Sequence, residues 1–241
     1  MPQGRTIASS PVDTAETRVI ADLLGDRFSC RGYRPDPVPH EVIERLLALS
    51  QLTASWCNSQ PWQVIVTEGQ GTERFRQALF DHASRAGLEA EAQSDFPYPV
   101  RYAGIYKDRR RECGWQLYEC VGVSFGDREA SARQSLENFR FFGAPHVAIV
   151  TSEDDLGVYG AIDCGAYVGN FLLIAESLGI SAIPQAALAH HSPFVRQYFG
   201  VPENRRIVCG MSFGYADPDH PANQFRTKRA PLDEVVTWIT D

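Results

Sequence analysis

The stretch Trp56-Cys57-Asn58-Ser59-Gln60-Pro61-Trp62, WCNSQPW, separates two segments of different periodicity. Before it, VPHEVIERLLALSQL carries Val42, Ile43, Leu46, Leu47 and Leu49 at helical spacing, so one helix face packs inward. After it, VIVT is a short β-branched run with strand character. Pro61 biases Gln60 away from helix and sets an extended entry to the strand, while Asn58 and Ser59 can bond local backbone at the helix end. Trp62 anchors the junction in the core. A plain turn leaves Ser55 and Trp56 without a purpose, and both should lie near the surface.

On the amino-terminal side, residues 1–13 read as a loose arm, and TAETRVIADLLGDR predicts a helix capped by Thr14 and stopped at Gly25. On the other side a helix is expected over Thr72 to Phe80, followed by an aperiodic excursion rich in Gly, Pro and aromatics up to Lys107. Helical patterns over 107–121 and 127–142, joined by GVSFGD, make about 95–142 a candidate helical lid. HVAIVT is a second strand. YGAIDCGAYVGNFLLIAESLG is the most apolar helix, with Ala161, Gly165, Ala166 and Gly169 allowing another helix to approach closely.

ISAIPQAAL then reads as a strand ending in a turn. SPFVRQYFG carries Ser at the cap, Pro at the first position and Gly past the end of a compact helix. RRIVCGMSFG is a further strand, and QFRTKRAPLDEVVTWITD closes with a short helix. No internal repeat or low-complexity linker supports a boundary, so residues 1–241 are expected to form a single domain.

The composition narrows the function. A formal charge of -7 argues against general nucleic-acid binding, which needs clustered excess Lys and Arg. The first residues lack the pattern of a signal peptide, and no stretch reaches roughly 18 uninterrupted apolar residues, so a cytoplasmic protein with no membrane partner is expected. Cysteines at 30, 57, 113, 120, 164 and 209 have no C-x-x-C spacing, which favours reduced thiols over a metal or redox pair. Adjacent His190 and His191 point apart, so no metal site is expected.

The arginines that do cluster invite a local explanation. In RFSCR, residues two apart face the same way if the segment is extended, so Arg27, Ser29 and Arg31 converge, a set suited to a phosphate. A solvated polar turn is the alternative. Arg226, Lys228 and Arg229 form a second basic set, and an acidic protein that holds arginines at both ends can gather them around one anion. GMSFG matches the G-x-S-x-G elbow that would make Ser212 a nucleophile, but the two prolines of YADPDHPANQ forbid the helix that must follow. No G-x-G-x-x-G or Walker loop is present.

RFSCR near the start, NSQPW after the second helix, AIPQAAL past the apolar helix and RTKRAPLDEVVTW at the end resemble, in this order, the FMN-dependent nitroreductase family. The resemblance spans nearly the whole chain. It implies an α+β fold, a central mostly antiparallel sheet wrapped by helices, and an intertwined homodimer with FMN at the interface. It further implies that Arg27, Phe28, Ser29, Arg31, Arg226 and Arg229 hold the FMN phosphate and nearby atoms. Ser55 and Asn58 would form a wall supplied by the other subunit, and the backbone of Pro184, Gln185, Ala186 and Ala187 would face the flavin N5 edge. Asn170 stands where the family pattern suggests Gln, and the Asn and Lys that contact the flavin ring in some relatives are not placed between Phe80 and Lys107, which leaves the positive group near flavin N1 and O2 unassigned.

The implied activity is ping-pong hydride transfer from NADH or NADPH through flavin N5 to a nitroaromatic or quinone, with no side-chain nucleophile. Phe125 and Trp56 are the candidate substrate contacts, and Tyr102, Tyr106 and Trp115 are further lid aromatics that could stack on a flat acceptor. Reductive dehalogenation is the alternative within the family. Outside that chemistry stand a non-enzymatic FMN-binding protein and a serine hydrolase using Ser212.

Overall fold

The computed structural model describes residues 10–86 and 93–240. Most of the expected amino-terminal arm, and residues 87–92 of the excursion, lie outside the described residues. Helices α1 (Ala15–Asp26) and α2 (His40–Ser50) precede a 3-10 turn at Trp56–Asn58 and strand β1 (Gln63–Thr67). Helices α3 (Gln70–Ala86), α4 (Gly104–Cys120) and α5 (Arg128–Leu136) follow, then β2 (His146–Glu153) and α6 (Gly157–Ser177). The chain closes with β3 (Ser181–Gln185), the single turn α7 (Ala186–Ala189), α8 (Ser192–Phe199) and β4 (Arg205–Gly214).

The four strands form one antiparallel sheet in the order β1-β2-β4-β3. Because side chains alternate along a strand, β2 sends Ala148 and Val150 to one face and Val147 and Ile149 to the other. The first face packs beneath α2 and α6 through Ile43, Leu46, Tyr167 and Phe171. The second packs against α3 and α8 through Phe75, Leu79 and Val195. The sheet is therefore covered on both sides, as the α+β reading requires.

Several element ends differ from expectation. Gly25 is buried inside the last turn of α1 rather than ending it; the stop is Arg27, whose extended backbone (ψ 129°) leads into a bridge with the sheet. α3 extends well past Phe80 because Phe75, Leu79 and Ala83 continue the buried stripe. α5 gives way to a 3-10 segment, Glu137–Gly143, because Phe141 and Phe142 take left-handed φ of 59° and 53°. Ser192 is the first residue of α8 rather than its cap, and Gly200 ends the helix with φ 65° as expected. The tail helix is only a 3-10 turn at Leu232–Glu234.

α6 is largely apolar on its outer as well as its inner face. By length and composition alone, Asp154–Ser177 could cross a bilayer. Its inner face instead fills the core with Cys164, Tyr167, Phe171 and Ala175. Gly160 lies against Ser152, where a Cβ would come within 2.5 Å of the hydroxyl oxygen. Its outer face leaves Val158, Tyr159 and Ile162 exposed, and a Cβ on Gly165 or Gly169 would meet nothing within 4 Å. Among the described residues, no helix makes the close approach expected at Gly165 and Gly169.

Candidate functional site

The two basic sets converge. Ser29 forms a parallel bridge with Ala182, and the Cys30 N–H donates to the Ala182 carbonyl at 3.5 Å, so RFSCR runs extended beside β3. Extension buries Cys30 and turns Arg27, Ser29 and Arg31 to the other side. There they line a cavity of about 130 Å³ with Phe28, Arg226 and Arg229. The Arg226 guanidinium carbon stacks 3.9 Å from the Phe28 ring centre, and Arg31 lies between Phe142 and Phe225, 6.0 Å from each.

The electrostatics of this cavity suit an anion. Among the described residues, none of Arg27, Arg31, Arg226 and Arg229 forms an ion pair with a carboxylate, although the chain carries more acidic than basic side chains. Burial lowers the pKa of Arg27, Arg31 and Arg226, and the charge of Arg229 lowers that of Arg27 further. The buried Arg226 Nε has no hydrogen-bond partner. Glu176 on α6 is the nearby counter-charge; burial and Asp26 raise its pKa, offset by Arg27 and Arg226. Cations held together at such cost are stabilised by an incoming phosphate, and the guanidinium fork suits its oxygens. The donor set fits the phosphate of FMN.

Sequence reasoning missed the residues that hold this arrangement. Asn223 accepts the Arg31 N–H at 2.8 Å and donates to the carbonyls of Gly32 (2.8 Å) and Asp217 (2.9 Å), joining the tail to RFSCR. Cys113 of α4 and Phe225 complete the wall. Asn223 sits among turn formers, where nothing local distinguishes a staple from an ordinary loop asparagine.

The Pro184–Ala187 turn lies at the end of β3, with Pro184 and Ala186 exposed. The Gln185 side chain turns inward: its Nε2 donates to the Asn138 carbonyl at 2.9 Å and its Oε1 accepts from Ser212. Only its backbone is available to a ligand. Tyr98 donates its hydroxyl to the Ala186 carbonyl, which lays the 93–98 segment beside this turn.

Ser212 is fully buried within β4, with no strand-to-helix elbow and its hydroxyl committed to Gln185. The serine-hydrolase alternative fails on both access and geometry.

At the Trp56–Trp62 junction, the Trp56 N–H donates to Asp163 of α6 at 3.1 Å, and the Trp56 ring meets Tyr159 edge-on at 4.7 Å. Cys57, Asn58 and Gln60 all have left-handed backbones, with φ of 50°, 55° and 46°. The extended conformation expected for Gln60 is therefore corrected. Ser55 Oγ accepts the Gln60 N–H at 2.9 Å, while Gln51 bonds both the Gln60 side chain and Trp62 Nε1, each at 2.9 Å, and these contacts outweigh the local preference. Trp62 is buried as expected, and Trp56 is 58% exposed. Asn170 donates to Thr53 Oγ1 at 2.8 Å, tying the end of the α2 loop to α6.

This junction contacts α6 at Asp163, whereas the arginine cavity adjoins it at Glu176. At the helical rise, these positions are roughly 20 Å apart. Ser55 and Asn58 are therefore not neighbours of their own chain's cavity. The aromatics of the expected lid are not core residues either: Phe125 is 85% exposed and its ring lies tilted 5.1 Å from that of Trp115, and Tyr102 and Tyr106 are exposed.

The Nitroreductase family model matches residues 24–215. Nitroreductase NfnB of Mycolicibacterium smegmatis is 35% identical over 235 residues, which cover 97% of each chain. A 4-nitrobenzoate reductase of a Nocardioides species is 33% identical over 220 residues, covering 91% of this chain and 89% of the relative. The solved structure of the FMN-dependent nitroreductase NfnB from Mycobacterium smegmatis, in complex with NADPH, superimposes with a TM-score of 0.87 at 32% identity. That likeness covers 93% of this chain and all of the other. With an antiparallel sheet covered on both faces, a paired arginine cavity and these likenesses, the chain belongs to the Nitroreductase family.

Proposed function

We propose that this protein is an FMN-dependent NAD(P)H oxidoreductase that reduces nitroaromatic compounds or quinones and works as a homodimer in the cytoplasm. The observation that carries this reading is the cavity where Arg27, Arg31, Arg226 and Arg229 gather without a carboxylate partner among the described residues. Its relatives NfnB and 4-nitrobenzoate reductase supply the substrate class. The six free thiols accord with a reducing compartment.

When bound, FMN supplies two-electron transfer between the nicotinamide and the acceptor. The chain binds and orients. Arg27, Ser29, Arg31, Arg226 and Arg229 hold the phosphate, with Phe28 keeping the Arg226 guanidinium in plane. The backbone N–H groups of the Pro184–Ala187 turn would meet the redox edge, since Gln185 withdraws its side chain. Trp115 and Phe125 offer an exposed stacking surface for a flat acceptor, and Trp56 offers a second one.

A second copy completes the site. The separation of Ser55 and Asn58 from the arginine cavity along α6 supports their contribution to a partner's flavin. The apolar outer face of α6, with Val158, Tyr159, Ile162 and the small Gly165 and Gly169, supports helix-on-helix contact between copies.

Purified protein is expected to be yellow and to release FMN rather than FAD. Anaerobic NAD(P)H should bleach it, and a nitroaromatic should restore the colour. A protein indifferent to FMN overturns the reading, and one that holds FMN but is bleached by neither nicotinamide is a binding protein only.

A further inference from the structure

α4 carries three consecutive arginines that the flavin phosphate does not use, and they are partnered differently. Arg109 meets the Glu234 carboxylate at 3.1 Å. Arg110 and Arg111 meet no carboxylate among the described residues; Arg110 lies only over the Tyr102 ring at 5.2 Å. Both line a separate cavity of about 380 Å³ together with Arg31, Cys113, Trp115 and Tyr118, and no acidic residue lines it. Arg31 and Cys113 also line the flavin-phosphate cavity, so the two spaces share a wall.

Helical geometry accounts for this wall. Arg111, Trp115 and Tyr118 recur at i, i+4 and i+7, a single stripe of α4, and the Trp115 and Tyr118 rings lie 5.8 Å apart. The cavity thus combines exposed aromatic surface with two guanidiniums, Arg110 and Arg111, that meet no carboxylate among the described residues, beside Arg31 at its edge. Such a combination suits a flat heterocycle joined to a dianion. NADH and NADPH differ by one such dianion, the phosphate on the adenosine 2′-oxygen, and two-pronged arginine contacts to it would distinguish them.

We propose that Arg110 and Arg111 form the adenosine 2′-phosphate subsite and make the protein select NADPH over NADH. This rests on the NAD(P)H oxidoreductase function proposed above. Trp115 and Tyr118 supply the adjoining stacking surface, and Arg31 bounds the subsite against the flavin phosphate.

The test compares FMN-loaded wild type with the double variant Arg110→Gln/Arg111→Gln. Calorimetry should show adenosine 2′,5′-bisphosphate binding the wild type at least about tenfold more tightly than adenosine 5′-monophosphate, with the difference lost in the variant. The ratio of kcat/KM for NADPH to that for NADH should fall by a similar factor. Equal bleaching by NADH and NADPH, or a ratio untouched by the substitutions, overturns the selection while leaving the oxidoreductase reading intact. Failure of both nicotinamides to bleach the flavin overturns both. If the variant instead loses 4-nitrobenzoate relative to nitrobenzene at constant coenzyme preference, the cavity serves an acceptor carboxylate and the proposal fails.

Discussion

The Arg226 guanidinium carbon lies 3.9 Å from the centre of the Phe28 ring, which stacks the tail of the chain on its first extended segment. Arg226 donates through Nη1 to the Asn223 and Phe225 carbonyls, both at 2.9 Å, while its buried Nε has no partner. The stack holds the fork so that a free donor remains for an anion.

Arg226→Ala is therefore expected to weaken FMN binding more than riboflavin binding, because only FMN carries the phosphate. A hydrogen bond to a charged group contributes about 1.5–3 kcal/mol, or roughly 10- to 100-fold in affinity. Flavin-fluorescence titration of the apoprotein measures both ligands. Arg226→Lys keeps the charge but loses the planar stack, so it should recover only part of the difference. Equal losses for FMN and riboflavin would assign Arg226 to folding alone.

Ser212→Ala should leave flavin reduction intact and reduce stability. The substitution removes the donor to Gln185 Oε1, an oxygen on a side chain only 2% exposed. Leaving such an acceptor without its bond costs about 1–3 kcal/mol. Urea denaturation should give a lower midpoint at unchanged slope.

The strands and both arginine sets were legible because they rest on local patterns. β-branched residues mark β1, β2 and β4, and alternation within RFSCR faces its arginines one way in any extended segment. Their convergence could be suspected from charge, but its architecture could not be read locally. Asn223 acts across 192 residues, and Gln60 adopts φ 46° against the preference set by Pro61 because Ser55 and Gln51 bond it. The role of α6 was half legible: its small residues announced a close neighbour, but none of the described residues supplies one at Gly165 or Gly169.

The outer face of α6 gives the clearest test of assembly. Wild-type protein is expected to run in solution at twice the chain's 26.8 kDa. Ile162→Glu with Gly165→Glu places two charges on a face that is exposed in the single chain, where surface changes cost little, but buried between copies in a dimer. Light scattering should report a folded monomer, and FMN should be lost if Ser55 and Asn58 serve a partner's site as proposed. A variant that stays dimeric with full FMN would place the interface elsewhere.

Acid should destabilise the fold through the buried His146 and the half-buried His191. His146 accepts the Val38 N–H at Nε2 (2.9 Å), which leaves the ring proton on Nδ1 facing the Thr67 carbonyl at 3.4 Å. Burial lowers its pKa. His191 lies 5.0 Å ring to ring from His82 and 5.6 Å from His190; burial first, then these two neighbours, push its pKa down to about 4. A histidine depressed in the native state binds protons more readily when unfolded. Its neutral form therefore stabilises the fold fully above the unfolded value near 6.5, and that contribution disappears as pH falls toward the folded value near 4. The melting temperature of the FMN-loaded protein should fall between these limits. His191→Gln, which cannot titrate, should flatten part of the slope, and His146 should account for part of what remains. An identical slope in the variant would remove His191 from the acid response.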